Sequence, residues 1–277
     1  DLVFCLGDRF EMFAAVSSTV PFNLDIAHIH GGEETLGAID NKFRHSITHM
    51  SKYHFTVTER YKQRVIEMIR TTSNVFNVGS LSYDNIKNLD LLSIKEFKSK
   101  FNIDLSIPTI LITFHPETVS IQKNEFYINE LIEALNCTQN FQFVITMPNS
   151  DPESDLIRRN IVSFVNANQN AIAVENFGTI GYLSCMKHCK FMLGNTSSGF
   201  AEAAYLPKPV INLGDRQKGR IVTPNIINCQ INKNQILKSI EIAVKQTSLP
   251  INDIYGNGNS ASRIIEILEV IRDKNSY

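Results

Sequence analysis

At 277 residues the chain is long for a single core and fits two domains of ordinary size. Hydrophobic residues make up 43% and charged residues 20%, and the formal net charge of -1 excludes a broad basic surface for nucleic acid or anionic lipid. No apolar run approaches the length of a membrane span. The five scattered cysteines (Cys5, Cys137, Cys185, Cys189 and Cys229) argue against a disulfide framework, so a cytoplasmic protein is expected.

Short apolar runs alternate with longer helical ones. Leu2–Leu6 predicts a strand and Glu11–Val20 a helix. Asp25–His30 and Lys42–Met50 repeat the pair, as do Tyr53–Val57 and Arg60–Arg70, and Val75–Val78 closes the first series. A polar helical stretch, Asp84–Lys100, leads to Pro108. The rhythm then restarts with strands at Thr109–Phe114, Phe141–Met147, Ala171–Val174, Phe191–Leu193 and Val210–Leu213. The helices between them are Asn124–Leu135, Asp155–Val165, Thr179–Lys187 and Ser198–Tyr205. Helices at Lys233–Lys245 and Ser260–Ile271 follow.

This alternation predicts an α/β protein of two doubly wound, Rossmann-like domains, residues 1–105 and 106–277, with the last helix packing back on the first. The chain opens inside a strand, without a start methionine, so a truncated N-terminal domain is expected. Ligands of such folds bind beyond the strand carboxyl ends, which selects the segments to inspect.

After the first strand, Gly7 permits a turn and Asp8 can cap the next helix, pair with Arg9, or serve as an acid/base group. After the second, "HIHGGEETLGAID" places His28 and His30 on one strand face, with Gly31-Gly32 letting backbone approach a ligand. Glu33 follows, then Asp40, a candidate cap for the helix carrying Arg44, His45 and His49. Five of the seven histidines lie between positions 28 and 54. Imidazoles, carboxylates and an arginine at one rim suit acid/base chemistry, with zinc ligation the weaker rival. His115 ends the first strand of the second series.

"GNTSSGFAEA" puts Asn195, Thr196, Ser197, Ser198 and Gly199 ahead of a helix, a ready anion site, with Glu202 one turn in and able to bind vicinal hydroxyls. "GDRQKGR" adds Arg216 and Arg220, which can reach phosphates. Neither a Gly-Lys-Ser/Thr loop nor a Gly-x-Gly-x-x-Gly turn is present. A nucleoside diphosphate facing an acid/base cluster is the ligand expected, with no metal or cofactor.

The segments "GDRFE", "AHIHGGE", "AIDNKFRHSITHMS", "TFHPE", "GNTSSGFAEA" and "PVINLGDRQKGR", in this order, resemble the UDP-N-acetylglucosamine 2-epimerase family, and within it the hydrolysing branch of nonulosonate pathways. The resemblance implies a B-type glycosyltransferase-like pair of domains, a homodimer or homotetramer, and a UDP-sugar as partner. It implies conversion of UDP-N-acetylglucosamine and water to UDP and N-acetylmannosamine, through a 2-acetamidoglucal, early in sialic acid synthesis. By match, Asp8, Asp40 and His115 take acid/base positions, with Arg9 and Arg44 beside them. Thr196, Ser197 and Arg216 take the diphosphate and Glu202 the ribose. Two positions depart from the family: His30 and Asn41 stand where some members have glutamate and aspartate, so His30 or Glu33 shares the proton abstraction. The alternatives are the same chemistry on UDP-2,4-diacetamido-2,4,6-trideoxy-glucose, a non-hydrolysing epimerase, or a glycosyltransferase or nucleotide-sugar binder of the same fold.

Overall fold

A computed structural model describes residues 1–149, 153–246 and 248–274. The chain forms two compact units, residues 1–88 with 253–277, and residues 89–252.

The first unit is a four-stranded parallel sheet in the order β1-β2-β3-β4. Its strands are β1 Leu2–Leu6, β2 Asp25–Ile29, β3 Tyr53–Thr56 and β4 Val75–Asn77, joined by helices α1 Phe10–Thr19, α2 Asp40–Met50 and α3 Glu59–Ile69. One sheet face packs Cys5 and Ile26 against Val16 of α1 and Ile47 of α2. The other packs Ala27, Ile29 and Phe55 against Ile264 of α11, Ser260–Lys274. The Asp84 carboxylate, on α4 (Leu81–Asn88), accepts the N–H groups of Ser260 and Ala261 at 2.9 and 3.2 Å. These are orphan donors of the first turn of α11, so one side chain of α4 holds the last helix in place.

The polar stretch 84–100 is not one helix. It breaks into α4 and α5, Ile94–Phe101, because Ser93 starts a new helix with a complete capping box to Glu96. The division between units accordingly falls at residue 88 rather than 105. The rings of Phe97 and Phe101 on α5 lie 5.5 and 5.0 Å from that of Phe177, inside the second unit.

The second unit is a six-stranded parallel sheet in the order β10-β9-β8-β5-β6-β7. Its strands are β5 Thr109–Thr113, β6 Gln142–Thr146, β7 Ala171–Val174, β8 Phe191–Gly194, β9 Val210–Leu213 and β10 Ile226–Cys229. Its helices are α6 Asn124–Asn136, α7 Ser154–Ala167, α8 Gly178–His188, α9 Glu202–Tyr205 and α10 Lys233–Lys245. Ile110, Ile112 and Ile211 meet α6, α7 and α10 on one face. Leu111, Val144 and Met192 meet α5, α8 and α9 on the other. Both faces are covered, as near-continuous apolar strands require. The short edge strand β10 is absent from the sequence expectation. The helix expected from Ser198 is reduced to a 3-10 turn at Ser197–Gly199 and the four residues of α9. So short a helix sums few peptide dipoles, which removes the helix-terminus argument for anion binding at this loop.

Candidate functional site

In the first unit the site grows from Arg44. Its position on α2 points the guanidinium into the sheet end, where the side chain is 1% exposed. It ion-pairs with Asp8 at the end of β1 and also donates to Asn41 Oδ1. It reaches the Glu33 carbonyl at 2.9 Å and Thr35 Oγ1 at 3.3 Å. One buried cation therefore ties β1, the 33–35 loop and the start of α2 together. Charge-assisted bonds of this kind offset its desolvation.

His30 lies beside this cluster. Its Nδ1 is 2.7 Å from Glu33 Oε1, with the carboxylate 6% and the imidazole 25% exposed. A carboxylate only accepts, so Nδ1 carries the proton of this contact, and in the neutral tautomer the lone pair is on Nε2. His30 and His28 do not share a strand face. β2 ends at Ile29, and His30 adopts φ +69°, which turns its side chain out of the alternation.

His28 is a core residue. It is fully buried, with Nε2 donating to the Gly7 carbonyl at 2.9 Å and Nδ1 3.1 Å from Thr48 Oγ1. Burial pushes its pKa down to about 4, and does the same to His54, its cross-strand partner. The five histidines thus separate into two core rings, His28 and His54, half-buried His30 and His45, and exposed His49. Gly31 and Gly32 serve packing rather than ligand approach. A Cβ on Gly32 would lie 2.3 Å from the Tyr61 carbonyl, and one on Gly31 would lie 3.1 Å from His28 Nδ1.

Asp8 does not cap α1, whose N-cap is Arg9 without a side-chain bond; its carboxylate meets Arg44. Arg9 instead reaches Glu11 at 3.3 Å, with its side chain 36% exposed. Asp40 is already inside the first turn of α2, not its cap, so there it complements the helix dipole.

In the second unit His115 follows β5, 6% exposed. Asn195, fully buried, brackets it: Oδ1 accepts the His115 N–H at 2.7 Å and Nδ2 donates to the His115 carbonyl at 2.8 Å. The Asn195 amide is thus used within the fold and positions His115, rather than reaching a ligand. The Asn195 carbonyl accepts from Gln217 Nε2 at 2.8 Å and from Arg216 at 3.4 Å. Glu117, two residues beyond His115, accepts the Asp215 N–H at 2.9 Å. Burial raises its pKa, against the lowering effect of that bond. His115, Asn195, Glu117 and Arg216 are therefore one connected set. Proximity in sequence links only His115 with Glu117.

Thr196 and Ser197 stand at the loop surface, and Ser198 Oγ is tied to Tyr182 and Thr196. Gly199 is enclosed, since a Cβ there would lie 2.9 Å from Val210 Cγ1. Half-buried Glu202 opens α9. Arg220 donates to Gln217 Oε1 at 2.7 Å and, unlike Arg216, lines a cavity of about 850 Å³ with Lys123, Asn212 and Gln230.

A sequence profile described as UDP-N-acetylglucosamine 2-epimerase matches residues 1–269. The GDP/UDP-N,N'-diacetylbacillosamine 2-epimerase (hydrolyzing) of Campylobacter jejuni is 39% identical over 84% of this chain and 61% of its own length. The polysialic acid biosynthesis protein P7 of Escherichia coli is 35% identical over 99% of this chain and 70% of its own. The chain thus spans roughly three fifths to seven tenths of these relatives. The crystal structure of UDP-GlcNAc 2-epimerase from Neisseria meningitidis bound to UDP-GlcNAc superposes with a TM-score of 0.79 at 22% identity, covering 96% of this chain and 76% of that one. Among the described residues no helix is long and apolar enough to cross a membrane.

Proposed function

The chain belongs to the UDP-N-acetylglucosamine 2-epimerase family, and from that membership we propose that it is a hydrolysing 2-epimerase of a UDP-linked 2-acetamido sugar. The observation that carries this reading is the His30–Glu33 contact at 2.7 Å beside the Asp8–Arg44 pair. Removing the weakly acidic C2 proton needs a base held in one orientation. Glu33 engages His30 through Nδ1 and leaves Nε2 of the neutral ring to act as that base, where some family members carry glutamate.

The reaction balances as follows. His30 takes the C2 proton while the C1–O bond to UDP breaks, leaving a 2-acetamidoglucal. Thr196, Ser197 and Arg216 hold the diphosphate and stabilise its departing charge, and Glu202 holds the ribose. Water then adds across C1=C2, its hydroxyl to C1 and a proton to C2 on the opposite face, with Asp8, Asp40 and His115 as the acid/base groups. UDP and the free manno-configured sugar result.

Two sugars are in play. The motifs favour N-acetylglucosamine, and the name of the Campylobacter jejuni relative favours N,N'-diacetylbacillosamine. The test is an NMR time course in deuterated water with UDP-N-acetylglucosamine and UDP-N,N'-diacetylbacillosamine in parallel. Deuterium at C2, free UDP and a free manno sugar are expected from one of them. Both substrates remaining intact with a folded sample overturns the reading. A 2-epimer still attached to UDP replaces it with a non-hydrolysing epimerase. His30→Gln should remove the C2 exchange, and undiminished exchange in that variant moves the base elsewhere.

A further inference from the structure

Behind Thr196 lie hydroxyls that the reaction scheme leaves unused. Thr146 Oγ1 lies 2.7 Å from Thr113 Oγ1 across the β5–β6 ladder. The Tyr182 hydroxyl on α8 is 2.6 Å from Ser198 Oγ, which is 3.1 Å from Thr196 Oγ1. These three hydroxyls, from a helix and the loop, form one series.

Each hydroxyl has one proton to give. Thr146 donates to the Ile112 carbonyl at 3.4 Å, so Thr113 can donate to Thr146 and this inner pair closes on the backbone. On the outer side, Tyr182 donating to Ser198 lets Ser198 donate to Thr196. The Thr196 proton is then left over at the loop surface. Burial pushes the Tyr182 pKa up to about 12, so its own proton stays available. A series polarised in one direction strengthens its terminal donor.

We propose that Tyr182 is a positioning residue whose hydroxyl, acting through Ser198, turns the Thr196 O–H outward as a donor for an anionic oxygen of the bound nucleotide. This rests on the assignment of the 196–198 loop to the diphosphate. In that role Tyr182 acts on the phosphate end of the ligand and leaves the nucleoside end alone.

The test is titration of the protein with UDP and with uridine, for the unchanged chain, Tyr182→Phe, Ser198→Ala and the double variant. Tyr182→Phe should weaken UDP binding about five- to tenfold, the worth of one ordinary hydrogen bond, and leave uridine binding unchanged. In the Ser198→Ala background the same change should have no further effect, because the series is already cut. Ser198→Ala cuts the series at the next hydroxyl and serves in place of Tyr182→Phe if that variant does not fold. Unchanged UDP affinity in both, or an equal loss for uridine, overturns the role of Tyr182 alone. Absence of UDP binding by the unchanged chain overturns the assignment of the loop, and the role of Tyr182 with it.

Discussion

Arg44 and Asp8 are 36 residues apart, and nothing in their spacing pairs them. The sequence offered Asp8 as a cap, a partner of Arg9 or an acid/base group. The ion pair with a 1% exposed guanidinium changes what its removal does. Asp8→Asn keeps the shape and withdraws the charge, so Arg44 stays buried with one compensation fewer. Complete loss of a partner costs about 3–5 kcal/mol, and the 24% exposure of Asp8 together with the retained amide oxygen brings the expected loss to about 1–3 kcal/mol. Glu11→Gln, which opens the exposed Arg9–Glu11 pair, should change stability by less than about 0.5 kcal/mol. Urea midpoints of the two variants at neutral pH compare them directly, and equal midpoints contradict the central place given to Arg44. Activity of Asp8→Asn then has to be read where that variant is still folded.

Elements were legible where one physical rule dominates. The buried parallel strands β5, β6 and β8 are apolar runs bounded by polar residues, and their places follow from that alone. Misses occur where a local bond overrides the pattern. The Ser93–Glu96 capping box cuts the 84–100 helix, the left-handed His30 ends the alternation of β2, and β10 is four residues with one edge half exposed. The candidate residues were found because they follow strands, but Asn195 was assigned to the ligand when its amide is consumed by His115. Side-chain pairing across 80 residues has no signature in spacing. The glycine ending β8 shows the reverse, a residue type dictated by an element contact. Gly194 has φ +146°, and a Cβ there would sit 1.9 Å from the Thr113 carbonyl of the adjacent β5. Gly194→Ala must therefore part β8 from β5 at the centre of the six-stranded sheet. A loss above about 3 kcal/mol is expected, which most domains of marginal stability do not survive. A circular-dichroism melt close to that of the unchanged protein would contradict the close approach.

At the scale of the molecule the buried histidines of one unit and the buried Glu117 of the other carry opposite proton linkages. In the first, burial holds His28 and His54 at about 4, below their unfolded value of 6.5. The unfolded chain binds more protons than the folded one between those values, so stability falls as pH falls through that window and is fully present above it. Each histidine contributes a slope of up to about 1.4 kcal/mol per pH unit. In the second unit the buried Glu117 has a raised pKa, so its linkage runs the other way: its contribution is present at low pH and is lost as pH rises. Acid should therefore loosen residues 1–88 and 253–274 before residues 89–252. The readout is amide hydrogen exchange at pH 7 and pH 5, corrected for intrinsic rates. Protection in β2 and β3 should drop between the two, while β5 and β8 hold theirs. His54→Phe, which removes one buried imidazole, should reduce the drop in β2 and β3. An equal loss in both sheets would contradict this assignment, because it would trace acid sensitivity to carboxylates shared by the whole surface instead of to two neutral rings in one core.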